Sequence, residues 1–125
     1  LYPEVRLDAA GDKKLIARVE RQDLDELVGN LLENAAKYGG GSIFVTIQRE
    51  DGMAEILVED DGPGISPVDR VRIFDRGVRL DTGKPGTGLG LAIVRDVAEI
   101  YGGSIGLEES EDLGGLLVRL RLPAV

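Results

Sequence analysis

The 125-residue chain contains no cysteine and no histidine. Without thiols it has neither disulfides nor thiolate zinc sites, a composition that suits a reducing compartment, with the cytoplasm as the default. Without imidazole it lacks the commonest general base and the commonest metal ligand, so any chemistry must rest on carboxylates, amides, Lys, Arg and a bound cofactor. Nor does any apolar run approach the roughly 20 residues that span a bilayer. The chain opens with Leu1-Tyr2-Pro3 and no signal-peptide pattern, so a single domain over residues 1–125, excised from a longer chain, is expected. Positive charge is scarce, with a formal net charge of −8, which argues against nucleic acid or an anionic membrane surface as partner. One stretch runs the other way. From Arg70 to Lys84 stand Arg70, Arg72, Arg76, Arg79 and Lys84 against Asp75 and Asp81, a positive island that suits a small polyanion or serves equally as a solvated loop.

Hydrophobic periodicity organises what remains. Val5 to Asp8 and Leu15 to Val19, flanking Ala10-Gly11-Asp12-Lys13, read as a hairpin. A helix follows, with Asp23 and Glu26 spaced as a capping box and Leu24, Leu27, Val28, Leu31, Leu32 and Ala35 at helical intervals, closing at Gly39-Gly40-Gly41. Ile43, Val45 and Ile47 alternate with Phe44, Thr46 and Gln48, and Asp51-Gly52 turns the chain into Ala54 to Val58 as a second hairpin. Beyond Gly64 a short helical stretch from Pro67 to Phe74 and a loop to about Gly86 precede a helix from Gly88 to Tyr101. That helix is apolar on most sides, which predicts thorough burial. Strands over Ser104 to Glu109 and Leu116 to Leu122, joined around Gly114-Gly115, complete an α+β two-layer sandwich of about five strands and three helices.

Three segments carry groups suited to chemistry. On the first helix, at about 100° per residue, the apolar set Leu24, Val28, Leu31, Leu32 and Ala35 centres nearly opposite Asn30, Asn34 and Lys37, which share a face that is a ligand face or an ordinary polar one. Glu59-Asp60-Asp61-Gly62-Pro63-Gly64 ends a strand, where a carboxylate is held rigidly and glycines admit a flat ligand; taken singly it is also a plain Asp-Gly turn. Gly86-Thr87-Gly88-Leu89-Gly90 opens a helix, where unpaired backbone N–H groups suit a phosphate. It is not a Walker A loop, because Pro85 follows Gly83-Lys84, and the spacing of a dinucleotide fingerprint is missing.

Together and in order, these segments are far more specific. Asn30 to Tyr38 resembles the N box of sensor histidine kinases, Asp60 to Ile65 the G1 box, Ile73 to Gly77 the F box, and Gly86 to Leu91 the G2 box. The chain is thus similar to the catalytic ATP-binding domain of that family, within the GHKL or Bergerat-fold superfamily. The resemblance implies a mixed, mostly antiparallel sheet backed by helices, with ATP between the helical layer and a flexible lid.

The resemblance also implies roles. Asn34 would hold Mg²⁺ through its amide oxygen, Lys37 would contact the phosphates, and Tyr38 would lie against the nucleotide. Asp60 would accept a hydrogen bond from the adenine amino group, with Gly62, Gly64 and Ile65 shaping the base site. Phe74 would anchor the lid, and Arg79 and Lys84 would reach the γ-phosphate. Gly86, Thr87, Gly88, Leu89, Gly90 and Leu91 would form the phosphate cradle. Asn30 stands where related chaperone and topoisomerase ATPases carry the glutamate that activates water, and an amide cannot take a proton. The implied catalytic set is therefore Asn30, Glu33, Lys37, Arg79 and Lys84, presenting the γ-phosphate of Mg-ATP to an external nucleophile. That nucleophile would be a histidine on a separate dimerisation domain, with a response regulator downstream. The fragment alone is expected to be monomeric, and the whole kinase a homodimeric inner-membrane sensor with this domain on the cytoplasmic side. A serine kinase of the anti-sigma-factor type, or a module that senses ATP without transferring phosphate, shares the same motifs.

Overall fold

The structure, a computed structural model, describes residues 6–11, 15, 17–38, 41–72 and 90–124. In chain order these form β1 (Arg6–Gly11), α1 (Arg21–Tyr38), β2 (Ser42–Glu50), β3 (Met53–Asp60), α2 (Pro67–Arg72), α3 (Gly90–Ile100), β4 (Ser104–Glu109) and β5 (Leu116–Pro123). The five strands make one sheet in the order β1-β2-β3-β5-β4, with β1 parallel to β2 and the other three pairings antiparallel.

Among the described residues the expected first hairpin is absent. β1 pairs in parallel with β2 across the α1 crossover, while Ala17 bridges Ala124 and the Arg18 N–H donates to the Pro123 carbonyl at 2.7 Å. Both halves of the supposed hairpin thus find partners distant in sequence, which no local pattern announces. The second hairpin forms as read, because Asp51 (φ 51°) and Gly52 (φ 76°) supply the two left-handed residues of a tight turn that matches strand twist.

Alternation along the strands builds the core. Leu116, Val118, Leu120 and Leu122 of β5 and Ile56 and Val58 of β3 pack with Ile43 and Val45 of β2 against Leu27, Leu31 and Ala35 of α1 and Leu91, Val94 and Ala98 of α3. Truncating one of the fully buried leucines costs on the order of 2–5 kcal/mol. Contrary to the expectation of burial on most sides, α3 is one-sided: Ile93 is 43% exposed and Ile100 80%. The sheet already covers the opposite flank, and the ridge bearing Ile93 and Ile100, seven residues apart, points away from it. The other face of the sheet is held by charge. Glu55, 3% exposed, accepts from Gln48 Nε2 at 2.8 Å and from an Arg119 terminal nitrogen at 3.0 Å, with Arg121 Nε 3.0 Å from its second oxygen.

Candidate functional site

β3 is the central strand, and its inward-facing column of Ala54, Ile56 and Val58 ends on Asp60. A strand end flanked on both sides is a rigid mount, and Asp60 is only 5% exposed there. Its Oδ1 accepts the Gly62 N–H at 3.0 Å and the Leu116 N–H at 3.2 Å. Among the described residues both of its hydrogen bonds use that one oxygen, so Oδ2 is the acceptor left for a ligand. Burial pushes the carboxyl above the usual carboxylate range; the two backbone donors oppose this shift, and the neighbouring Asp61 charge adds to it.

Asp61 does different work. It is exposed, and its Oδ1 accepts the Ser42 N–H at 3.0 Å, tying the start of β2 to the end of β3. The chain then turns through Gly64, whose φ of 74° a side chain rarely adopts, and whose Cα faces Gly115 across the site. Ser66 begins α2, accepting the Asp69 N–H on its hydroxyl at 3.3 Å, with Pro67 in the first helical position. Arg70, a member of the positive island, donates its Nε–H to the Ile65 carbonyl at 2.9 Å and so braces the Gly64–Ile65 bend.

Sequence reading missed Gly115. Its φ is not left-handed, unlike that of Gly114 at 84°, so it is glycine for want of room. A Cβ there would collide with the carbonyl and Oδ1 of Asp60 and come within 2.7 Å of the Gly62 nitrogen. The signal was the doubled glycine before a strand, where the turn itself requires only one.

On α1 the asparagines are not opposite the core. Leu27, 1% exposed, was outside the apolar set used to place them, and including it swings the buried face toward Asn34, which lies about 20° around the helix from Leu27. Asn30 and Asn34 are therefore half-buried at the border of the helix, while Gly29 and Glu33 occupy the solvent face. Nor does Asp23 cap α1. The helix begins at Arg21, Glu20 precedes it, and Asp23 lies in the first turn.

Lys37 and Tyr38 close α1 as backbone, and their side chains lie outside the described residues, as do Phe74, Arg79, Lys84, Gly86, Thr87, Gly88 and Leu89. The lid expected over about residues 67–86 falls there from residue 73 onward, while residues 67–72 form α2. Of the glycine-rich helix opening, Gly90 is the first residue of α3 and Leu91 is 3% exposed, packed into the core. Asp60, Gly62, Gly64 and Ile65 do come together, joined by Gly115 from the β4–β5 turn and Leu116 at the start of β5.

Residues 19–125 match the family model described as histidine kinase-, DNA gyrase B-, and HSP90-like ATPase. The chain belongs to that family. It is 48% identical over 104 residues to the sensor protein kinase CarS of Pseudomonas aeruginosa, covering 83% of this chain and 23% of that one. It therefore spans about a quarter of that relative's length. Among solved structures, the mycobacterial sensor histidine kinase MprB superposes with a TM-score of 0.86 at 29% identity, covering 98% of this chain and 84% of that one. Full-length ShkA, solved in complex with AMPPNP, superposes with a TM-score of 0.82 at 29% identity, covering 97% of this chain and 26% of that one. The two-layer α+β architecture is the one these kinase domains share, and membership of this ATPase family supports ATP binding by the domain.

Proposed function

We propose that this domain binds Mg-ATP and donates the γ-phosphoryl group to a histidine on a separate dimerisation domain of a two-component sensor kinase. The observation that carries the reading is Asp60: a buried carboxyl at the end of the central strand, with Oδ1 fixed by two backbone N–H groups and no hydrogen bond to Oδ2 among the described residues. An acceptor so fixed suits the amino group of adenine and rejects guanine, which presents a carbonyl there. Gly64 takes a left-handed bend beside the carboxyl, and Gly115 lets the backbone of the following strand approach Asp60 and Gly62 closely, so the acceptor is held in a fixed frame. The AMPPNP bound to ShkA and the kinase relatives support the same reading.

The remaining roles follow from the motif resemblance. Among the described residues no three His, Cys, Asp or Glu side chains gather to hold a metal. The half-buried Asn34 carries an amide oxygen of the kind Mg²⁺ takes, and it would hold an ion brought with the nucleotide together with phosphates and waters. Mg²⁺ would neutralise charge on the phosphates, Lys37, Arg79 and Lys84 would orient them, and Asn30 and Glu33 would line the approach. In the transfer, an imidazole nitrogen of the incoming histidine bonds to the γ-phosphorus while the bond to the β–γ bridging oxygen breaks, and ADP departs with that electron pair. The chain itself holds no histidine to accept the phosphoryl group, and the amide at position 30 cannot take a proton from water. The whole protein is a homodimeric membrane sensor on this reading, although no helix among the described residues is long and apolar enough to cross a membrane.

The test is transfer from labelled ATP. The lone domain should bind ATP, turn it over slowly and stay unlabelled, and adding the histidine-bearing domain should give an acid-labile, alkali-stable phosphoramidate. Rapid ATP turnover by the lone domain would refute the proposal, as would acid-stable label on a partner serine.

A further inference from the structure

Glu59 and Asp60 are consecutive on β3 and so face opposite sides of the sheet, yet one turn of the chain holds both. That turn is the segment from Ser110 to Leu116 between β4 and β5. Ser110 is 1% exposed and is the hub. Its hydroxyl donates to Glu59 Oε1 at 2.9 Å and accepts the Leu113 N–H at 3.0 Å. Its backbone N–H donates to the Gly115 carbonyl, and its carbonyl accepts the Gly114 N–H, each at 2.8 Å. At the far end of the turn, the bare Cα of Gly115 lies against Asp60, and the Leu116 N–H reaches Asp60 Oδ1 at 3.2 Å.

The turn is therefore anchored twice on the end of one strand, by Glu59 on the outer face and by Asp60 on the inner face. Glu59 is 5% exposed, and a buried carboxyl needs a partner, which the Ser110 hydroxyl supplies. Three of the four hydrogen bonds that shape the turn converge on Ser110 atoms from within it, and the fourth leaves for Glu59. The turn thus delivers the Leu116 N–H to Asp60 Oδ1, which the Gly62 N–H holds from the other side.

From this connection we infer that Ser110, locked by Glu59, is a positioning residue for base recognition that acts through the Leu116 N–H on Asp60. The inference rests on the reading of Asp60 as the adenine acceptor. It places a determinant of nucleotide selectivity on the side of the sheet that the nucleotide never touches. Loosening the turn should cost the hydrogen bond to the adenine amino group and little else.

The experiment compares the affinity of the chain for ATP with that for purine riboside triphosphate, which lacks only the amino group. A site built around one such bond should prefer ATP by roughly ten- to a hundredfold. Ser110→Ala should bind purine riboside triphosphate as the parent does and lose about tenfold of the preference for ATP. Glu59→Ala should do the same, while Glu59→Gln, which keeps Oε1 as an acceptor, should retain the preference. Thermal melts measured alongside separate this effect from loss of structure. If Ser110→Ala and Glu59→Ala lower stability, or weaken both nucleotides equally, and leave the preference intact, Ser110 is merely structural and the inference fails. The control is Asp60→Asn. Should that change leave the preference untouched, the adenine reading itself is wrong and the inference falls with it.

Discussion

Tyr101, in the turn that ends α3, donates its hydroxyl hydrogen to the Asp23 carboxyl in the first turn of α1, and its oxygen accepts the Glu20 N–H at 3.4 Å. The bond joins the two core helices at the end where α1 begins. Tyr101→Phe should lower the melting temperature and leave ATP affinity unchanged, as calorimetry would show. The Asp23 hydrogen bond raises the tyrosine pKa above its ordinary value, so the folded state binds that proton more tightly than the unfolded chain. The stabilisation is complete below the ordinary tyrosine value and is lost as pH rises through the raised one. The melting-temperature gap between parent and Tyr101→Phe should therefore close in strong alkali.

Asp60→Asn should separate affinity from stability. Loss of a charged acceptor should weaken ATP binding by about 1.5–3 kcal/mol. The apo domain should melt no lower than the parent, because the parent buries a charge there and the variant does not. Since Asp60 has its pKa raised by burial, its contribution to stability is greatest below the usual carboxylate range and falls as pH rises through the folded-state value. Acidification should thus move the stability difference in favour of the parent. A variant that melts well below the parent at neutral pH would contradict this account.

Asn34→Ala should abolish the dependence of ATP affinity on Mg²⁺ while leaving the weaker metal-free binding in place. Titration with and without the cation measures both. Equal affinity of parent and variant in the presence of Mg²⁺ would remove Asn34 from the site.

Two glycines should respond oppositely to alanine. Gly29 lies in α1 with nothing near the position of an added Cβ, so Gly29→Ala should stabilise the fold by about 0.5–1 kcal/mol through helix propensity. Gly115→Ala forces a methyl into Asp60 and should reduce both stability and ATP affinity. Denaturant melts of the two variants decide the sign of each.

Where local physics fixes the outcome, the elements could be read directly. The Asp51-Gly52 hairpin, the span of β4 and the closure of α1 near Tyr38 all follow from alternation, turn chemistry or glycine. β1 could not be read this way, since its parallel partner lies beyond α1 and leaves no mark on the residues around Gly11. Asp23 resembles a cap in sequence because the motif cannot reveal that Tyr101, 78 residues later, claims its carboxyl. In the site, Asp60 stood out because a carboxylate beside glycines at a strand end is locally unusual. Ser110 and Gly115 did not, because they act across a strand pairing that links distant parts of the chain. The border position of Asn34 depended on one residue, Leu27, whose full burial tilts the helix face.

The pairing of β3 with β5 has an evolutionary consequence. Everything from residue 61 to residue 115 leaves and returns at one point, where the Leu116 N–H meets Asp60. Lengthening a closed loop is cheap, about 0.6 kcal/mol for each doubling. Within that excursion α3 packs in the core and β4 pairs with β5, so it is the exposed connections between elements that can take added length. Length added in such a connection leaves the carboxyl at the neck where it is, because its mount is the meeting of β3 with β5.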